Sequence, residues 1–374
     1  MKPISNQKSP ATIKAVSLSR RRTCVRRGGV LMGGDARCRG WAGLPRSRAP
    51  ASPQCWTAPG DPAAVLCSFF CSITEAKNRN SSTMFGVVVV GIGIAGSVRI
   101  RDLLSPLQST PSESLKLQSF VSRRDLGQYN GVKQISLEEA LKSNEIDAAF
   151  ICTENQNHEP SIRRFLEAGK HVLVEYPVAL SAQTAHELWQ LAEQKGKVLH
   201  VEHIELLTGE FNQLKKEVDG KELVEGVLHF TGGALDEQRF GFPSFSGIAR
   251  ITWLVDLFGN LTVTSASKEE NEEEKYSKLT AHFTTADNRP LTWIEERAPG
   301  MKREKKIKFT FKCGVLDTLP PAPRAALGPP FMQDQNLFAQ KLLGQVPKEE
   351  LAAEKMRILH CIELAERIKK CCQQ

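Results

Sequence analysis

The amino-acid sequence predicts an α/β protein, with an N-terminal doubly wound parallel sheet and a C-terminal α/β domain that carries a large antiparallel sheet. Up to about residue 203, short apolar runs alternate with stretches of helical periodicity, which is typical of strand–helix units around a parallel sheet. Beyond that point, consecutive strand-like runs are joined by polar turns, which favours antiparallel pairing. The 374 residues, 41% of them hydrophobic, suffice for two domains with separate cores.

The elements of the first sheet are predicted from apolar runs and the residues that flank them. A serine begins the first and the last of the helices that we place between strands, and its side chain accepts hydrogen bonds from free helical N–H groups. The predicted strands are 85–90, 117–121, 147–152, 170–174 and 197–201, and the predicted helices are 136–143, 158–168 and 181–195.

The second sheet is predicted from apolar residues at strand spacing. The charged segment 268–275 is interpreted as a solvated hairpin tip. The order of elements is a helix at 205–216, strands at 225–232, 261–267, 277–285, 290–296 and 305–311, and closing helices at 336–343 and 348–370. The chain is thereby divided into a basic extension (1–83), a nucleotide-binding domain (84–203) and a substrate and scaffold domain (204–374).

The first 83 residues differ from the rest in charge and in pattern. They hold fourteen Lys or Arg and three acidic residues, a net charge of +11, so the remaining chain carries −3 of the total of +8. The basic character of the whole chain therefore indicates no nucleic-acid-binding face on the folded body. We expect the extension to be disordered, with a mitochondrial transit peptide as the alternative interpretation. Its apolar run 63–73 is too short to span a membrane.

The number and spacing of the cysteines indicate the cellular compartment of the protein. Ten are present, five of them after residue 83, and these scattered thiols do not form the pattern of a disulfide framework. We therefore expect free thiols and a cytoplasmic location, where thiols stay reduced. The sequence leaves the oligomeric state open.

The segment after the first predicted strand indicates a nucleotide cofactor. The run Gly91-Ile-Gly93-Ile94-Ala95-Gly96 has the spacing of a dinucleotide-binding turn. The first glycine permits the tight turn, the second lets the backbone approach the pyrophosphate, and the third lets helix and strand pack closely. The motif lies between a strand and a helix, so we predict a Rossmann fold in which this run binds the cofactor. A structural glycine turn in an unrelated α/β fold is the alternative.

The second predicted strand ends where such folds read the adenosine ribose, and here it supplies Ser122, Arg123 and Arg124. A guanidinium group can form two parallel hydrogen bonds with a 2′-phosphate, so the arginine pair favours NADPH. Asp125 follows directly, and because a carboxylate accepts from the ribose hydroxyl of NADH, use of NADH stays open. A solvated pair of loop arginines is the other interpretation.

Two segments after the third and fourth strands resemble a known superfamily. The first runs from Cys152 and Thr153 to His158, and the second contains Glu175 and Tyr176 before a proline. Together they are similar to the glucose–fructose oxidoreductase, inositol dehydrogenase and rhizopine-catabolism superfamily, and the resemblance places all five residues around the cofactor. The superfamily usually has lysine at the position of Tyr176. The tyrosine puts sugar oxidation in doubt, because a phenol is a poor base at neutral pH.

Further segments resemble the biliverdin-reducing branch of that superfamily, over essentially the whole chain from Met84 to Cys372. They include Glu175-Tyr-Pro and the segments 239–247, 252–254 and 341–345. The resemblance implies reduction of the central methine bridge of biliverdin, a tetrapyrrole with two propionates, by hydride from the nicotinamide. An NADP-dependent sugar or dihydrodiol dehydrogenase and a non-catalytic NADP-binding regulator stay as alternatives.

The same resemblance implies roles for individual side chains. Tyr176 is expected to position the bilin or donate a hydrogen bond to it. Arg250 is expected to support protonation or hold a propionate, and Arg239 is a weaker candidate for the substrate. The carboxylates placed around the cofactor or substrate are Glu175, Glu202 and Glu205. A satisfied buried phenol is the alternative for Tyr176, and a salt bridge over the sheet is the alternative for either arginine.

The C-terminus carries a candidate zinc set, His360, Cys361, Cys371 and Cys372. Three thiolates and one imidazole form a chemically sensible tetrahedral set. The resemblance associates zinc with a His-Cys and Cys-Cys arrangement across a ten-residue spacer, whereas this chain has nine. One missing residue turns the cysteine pair by about 100° on a helix, so a loose exposed tail is the alternative.

Overall fold

The computed structural model describes residues 83–321 and 328–374. The predictions of disorder or of a transit peptide in the N-terminal extension therefore lie outside the described residues, apart from residue 83. The described residues build a parallel sheet, then a mixed sheet, and a separate two-stranded hairpin.

The first sheet consists of β1 (Phe85–Val90), β2 (Leu115–Val121), β5 (Ala148–Ile151), β6 (His171–Val174) and β7 (Leu199–Val201). The separate hairpin consists of β3 (Gln128–Tyr129) and β4 (Val132–Lys133). The spatial order is β2-β1-β5-β6-β7, and every neighbouring pair is parallel. The chain starts in the sheet at β1 and winds outwards in both directions, which confirms the doubly wound prediction. Apolar runs form these strands because both faces are covered; Val87 and Val88 have no exposed surface.

Four helices lie between those strands: α1 (Ile94–Leu104), α2 (Leu137–Lys142), α3 (His158–Glu167) and α4 (Ala182–Gln194). The Ser136 side chain accepts from the Glu139 N–H while the Glu139 carboxylate accepts from the Ser136 N–H, and this capping box fixes the start of α2. Ser181 caps α4 by accepting from the Thr184 N–H. Both predicted serine caps are confirmed.

The second sheet consists of β8 (Leu223–Gly232), β9 (Leu261–Asn271), β10 (Tyr276–Thr285), β11 (Pro290–Arg297), β12 (Glu304–Phe311) and β13 (Gly314–Leu316). The order is β13-β12-β8-β11-β10-β9. Four of the five neighbouring pairs are antiparallel, but β8 and β11 run parallel, so the sheet is mixed. A parallel pair needs a long crossover connection. Here the chain between β8 and β11 provides it, with three helices followed by β9 and β10.

Strand β9 continues through Asn271, so the predicted hairpin tip at 268–275 is wrong for its first four residues. Lys268 pairs with Leu279 in the ladder, and its ammonium lies 2.6 Å from a carboxylate oxygen of Glu270. Because that neighbour neutralises the lysine, a charged segment continues here as a strand. The tip itself is confined to residues 272–275.

The helices of the second part are α5 (Gly209–Val218), α6 (Glu237–Phe240), α7 (Pro243–Ser246), α8 (Ile248–Phe258), α9 (Pro330–Leu342) and α10 (Lys348–Cys372). The single helix predicted at 205–216 is instead a short 3₁₀ turn followed by α5, because Thr208 caps α5. Sequence analysis missed α8, whose first eight residues are all buried and therefore lack a one-sided apolar stripe. Among the described helices, none is long and apolar enough to cross a bilayer.

Acid should weaken this fold through His171. Its Nδ1 accepts from the Val198 N–H, so the ring is neutral, and burial together with Lys197 lowers its pKa to about 4. A base whose folded-state pKa is depressed stabilises the fold fully above its unfolded value of about 6.5 and loses that contribution as pH falls towards 4. We expect the thermal midpoint of His171→Asn to decline less steeply than that of the wild type between pH 6.5 and 4.

The matched control for this prediction is His186→Asn. The His186 side chain is 46% exposed and its ring contacts only Glu363 across the surface. This variant should keep the wild-type slope of thermal midpoint against pH. An unchanged slope in His171→Asn would show that His171 does not contribute to acid sensitivity.

Candidate active site

The glycine turn after β1 has the geometry of a phosphate cradle. Gly91 has a φ of +97°, and a Cβ at Gly96 would lie 1.9 Å from the Gly91 carbonyl oxygen, so both positions require glycine. At Gly93 a Cβ would meet no atom within 4 Å. Helix α1 begins at Ile94 without a side-chain cap and without an acidic residue in its first turn, so its N–H groups and its dipole are free to bind an anion. The predicted run from Gly91 through Ala95 to Gly96 is therefore assembled as a dinucleotide would require.

The end of β2 lies beside this turn. The Gly91 N–H donates to the Val121 carbonyl at 2.9 Å, which ties the two segments together. Ser122 accepts from the Arg124 N–H, and the Arg124 guanidinium donates to the Ile92 carbonyl, so Arg124 lies over the glycine turn. The Arg123 side chain is 82% exposed. Both arginines are thus available to an anionic group at the edge of the turn.

Glu154 connects Arg123 to a residue from the second domain. One Glu154 oxygen lies 2.6 Å from Arg123 and 2.9 Å from Arg239 on α6. Burial alone would raise the pKa of Glu154, but hydrogen bonding to Arg239 and the charge of Arg123 hold it at about 2. These residues line a cavity of about 370 Å³ together with Gln156, Asn157 and Gln238. The structure therefore groups Arg239 with the nucleotide-binding loops.

The turn after β5 carries Cys152 and Thr153 and is braced by His158. The buried His158 ring places Nδ1 2.8 Å from the Pro177 carbonyl and Nε2 3.0 Å from the Thr153 carbonyl. It thereby joins this turn to the segment after β6 that holds Glu175 and Tyr176. The Cys152 thiol points at Glu175, 3.9 Å away, and burial raises its pKa well above the ordinary value, so the sulfur stays protonated.

Glu175 is held by a buried arginine that sequence analysis did not single out. Arg99 on α1 has no exposed surface; its Nε lies 3.1 Å and its Nη2 3.0 Å from Glu175 Oε1. The same Nη2 lies 2.6 Å from Asp334 Oδ2 on α9. His200 on β7 binds the other oxygen of Asp334 at 2.9 Å. No local pattern marks Arg99 or Asp334, because the partners come from distant parts of the chain.

Tyr176 lies half-buried next to these carboxyl groups, before a cis peptide bond to Pro177. Burial raises the pKa of its phenol above the ordinary value, and the nearby Glu202 raises it further while Arg250 opposes this. Glu202 has no exposed surface; Oε1 accepts from the Ile204 N–H at 2.6 Å, and Oε2 has no hydrogen-bond partner in the described part of the chain. Tyr176 therefore stays a phenol between a buried carboxyl and an arginine.

The second sheet brings a cluster of cations towards Tyr176. Arg250, on the missed helix α8, stacks on Phe230 with its guanidinium carbon 3.8 Å from the ring centroid. Its Nε lies 3.3 Å from Glu295, so the salt bridge considered as its alternative role is present. Glu205 binds Arg303 at 3.1 Å and Lys305 at 3.0 Å. Two guanidinium groups and one ammonium group thus lie close together here, and such groups suit anionic partners such as carboxylates.

The structure does not assemble the candidate zinc ligands. Helix α10 is continuous through all four positions, and at 1.5 Å per residue His360 and Cys371 are separated by about 16 Å along its axis. His360 Nε2 accepts from the Leu261 N–H, and Cys361 is buried with its thiol pKa raised to about 12. Cys371 and Cys372 stay at the end of the helix. Within residues 83–321 and 328–374, no three or more His, Cys, Asp or Glu side chains form a group able to hold a metal ion.

Comparison with known proteins identifies both parts of the chain. Residues 85–203 match the family model "Oxidoreductase family, NAD-binding Rossmann fold", and residues 211–323 match "Biliverdin reductase, catalytic". Biliverdin reductase A from Homo sapiens is 57% identical over 295 residues, which cover 79% of this chain and 98% of that protein. The same enzyme from Mus musculus is 57% identical over 301 residues, covering 80% and 99%.

A solved structure has the same fold. It is biliverdin reductase from Synechocystis sp. PCC 6803 in complex with biliverdin and NADP+. The TM-score is 0.65 at 23% sequence identity, and the match covers 77% of this chain and 99% of that one. At this level of identity, the likeness concerns the fold alone.

Gly93→Ala tests the cradle directly. The added methyl group meets open space in the protein, so the free energy of unfolding should change by less than about 1 kcal/mol. If a pyrophosphate occupies that space, NADPH affinity should fall at least about tenfold, or 1.4 kcal/mol, in a fluorescence titration. Gly233→Ala, which also adds a methyl group to open space, is the matched control. Unchanged affinity in Gly93→Ala would place the pyrophosphate elsewhere.

Proposed function

The chain belongs to the biliverdin reductase family, and on that premise we propose that it reduces biliverdin to bilirubin by hydride transfer from NADPH to the C10 methine bridge. The observation that carries the proposal is the 57% identity to human biliverdin reductase A over 98% of that protein, because the match spans both sheets. The chain is thus an NAD(P)H-dependent oxidoreductase whose substrate is a small tetrapyrrole.

NADPH, when bound, supplies the hydride. In this proposal residues 84–203 bind the cofactor: the glycine turn and the N-terminus of α1 hold the pyrophosphate, and Arg123 and Arg124 fork onto the 2′-phosphate. Cys152 and Thr153 line the nicotinamide end, while His158 holds their turn in place. The exposed side chain of Arg123, which pairs only at the surface with Glu154, supports a preference for NADPH over NADH.

Residues 204–374 supply the substrate contacts and the scaffold. Arg250 and its neighbouring cations hold a propionate, and Tyr176 orients the bilin by donating a hydrogen bond. Glu205 keeps Arg303 and Lys305 in place for this purpose. We place the reaction in the cytoplasm, because the five cysteines of the described residues are all free thiols.

The direct test mixes the purified full-length protein with biliverdin and NADPH and follows the visible spectrum. The long-wavelength band of biliverdin should disappear while the band of bilirubin grows. A spectrum that stays unchanged, although NADPH binding is measurable, would contradict the proposed function.

Replacing Arg123 and Arg124 by alanine tests the cofactor preference. Each lost bidentate contact to a 2′-phosphate should cost about 2 kcal/mol, which raises the dissociation constant of NADPH roughly 30-fold. The dissociation constant of NADH, which has no 2′-phosphate, should rise far less. The matched control is the double replacement of Arg163 and Arg164, a second adjacent pair whose partners are surface glutamates. Equal weakening of both nucleotides would mean that the first pair does not read the 2′-phosphate.

Tyr176→Phe tests the substrate side of the site. Removing the hydroxyl group should lower kcat at least about tenfold, as expected for a lost proton-donating group, and leave NADPH affinity intact. Steady-state kinetics and a nucleotide titration measure the two effects separately. Tyr276→Phe, at the first residue of β10 and outside the residues assigned to the site, is the control. Wild-type kcat in Tyr176→Phe would remove the hydroxyl group from the mechanism.

A further inference from the structure

A chain of buried polar contacts runs from the active site to helix α9. Glu175 binds Arg99, Arg99 binds Asp334, and Asp334 binds His200. His200 Nδ1 in turn lies 2.7 Å from the ammonium of Lys341. Gln335, next to Asp334, donates to the Arg99 carbonyl at 3.3 Å and so holds α9 against α1. Asp334 is therefore linked to the active site through Arg99 and through His200 on β7.

Two of the three buried carboxyl groups, Glu175 and Asp334, share the positive charge of Arg99, and Glu202 makes no contact with it in the described part of the chain. Arg99 is always protonated, so it carries a fixed charge of +1. Asp334 has a partner at each oxygen: the Arg99 guanidinium forms an ion pair at 2.6 Å, and His200 forms a hydrogen bond at 2.9 Å. Glu175 has the guanidinium on one oxygen only. Glu202 receives one backbone N–H, and its second oxygen has no hydrogen-bond partner in the described part of the chain.

These environments determine how readily each of the three carboxyl groups ionises. Burial alone would raise the pKa of Asp334, but Arg99 and His200 hold it well below its ordinary range. Burial raises the pKa of Glu202 well above its ordinary value, and the charges of Glu175 and Asp334 raise it further. A fully buried carboxylate with one free oxygen is costly, whereas the neutral acid is not.

We propose that Asp334 is a positioning residue that takes up the charge of Arg99 and thereby keeps Glu202 protonated as the proton reservoir of the reaction. The proposal rests on the proposed function, because only the reduction of the bilin consumes that proton. Glu202 follows β7 beside the end of β6, where its N–H donates to the Val174 carbonyl, one residue before Glu175, at 2.8 Å. The groups whose charges act on it, or are acted on by it, are Arg99 on α1, Cys152 after β5, Glu175 and Tyr176 after β6, and Asp334 on α9. Of these groups only Arg99 is a cation, and Asp334 and Glu175 share it.

The step balances as the addition of one hydride and one proton. The hydride from NADPH forms the new C–H bond at C10, and the proton forms an N–H bond on a pyrrole nitrogen. Glu202 is fully buried, so the Tyr176 hydroxyl passes its own proton to the nitrogen and recovers one as the Glu202 O–H bond breaks. After the product leaves, the half-buried Tyr176 hydroxyl relays a proton from water back to Glu202 before the next turnover. Arg99 does not release a proton and acts through its charge and position alone.

The pH dependence of kcat with biliverdin and NADPH tests this role. Asp334→Asn removes one negative charge near Glu202, so Glu202 should ionise more readily and the alkaline limb of the kcat profile should move to lower pH by about one unit or more. Asp334→Glu keeps the charge and should restore the wild-type profile. Asp256→Asn is the matched control, because Asp256 pairs with Lys215 and Arg357 outside the site.

A lower kcat in Asp334→Asn with an unshifted profile would overturn the proposal, because it would show a structural role only. The proposed function would survive that result, since the variant still reduces biliverdin. Infrared difference spectroscopy provides a test that needs neither turnover nor the Asp334 variants. Subtracting Glu202→Gln from the wild type at neutral pH should reveal the carbonyl band of a protonated carboxyl. A difference spectrum that contains carboxylate bands alone would overturn the proposal.

Discussion

The buried guanidinium of Arg99 is the interaction on which the arrangement of the site depends. It leaves water completely, and its burial is tolerated because Glu175 and the Phe331 carbonyl accept hydrogen bonds from it and Asp334 forms an ion pair with it at 2.6 Å. The ring of Phe331 adds a cation–π contact at 4.7 Å. Removing one partner of such a buried pair typically costs about 3–5 kcal/mol. Arg99 thus fixes helix α1, the end of β6 and helix α9 relative to one another, and with them the glycine turn and Tyr176.

The charges around this centre are arranged in three zones. The arginines after β2 face the proposed adenosine end, the carboxyl groups of residues 175, 202 and 334 lie near Arg99, and the cations Arg250, Arg303 and Lys305 lie on the proposed substrate side. Tyr176 lies where the second and third zones meet. A phenol whose pKa is raised by burial holds its proton there and serves as a donor. In the proposed function this position separates nucleotide binding from bilin chemistry, so single substitutions can report on each.

Much of the fold could be predicted because its signals are local. The glycine turn, the apolar strands and the serine caps each depend on a few adjacent residues, and the first sheet appears as expected. Helix α8 was missed because a helix buried on all sides has no amphipathic pattern. The parallel pairing of β8 with β11 depends on the path of the chain between them. Arg99 and Asp334 come together only in the folded chain, so no local pattern could predict their contact. The zinc set was predicted wrongly because residue spacing alone does not show that His360 and Cys371 lie far apart along one continuous helix.

The central claim is that hydride passes directly from the nicotinamide to the C10 bridge of the bilin. The most direct measurement uses NADPH deuterated at the transferred position of C4 and mass spectrometry with NMR of the pigment product. The account predicts one deuterium at the C10 methylene group of bilirubin. Bilirubin that carries no deuterium from the nucleotide would contradict it.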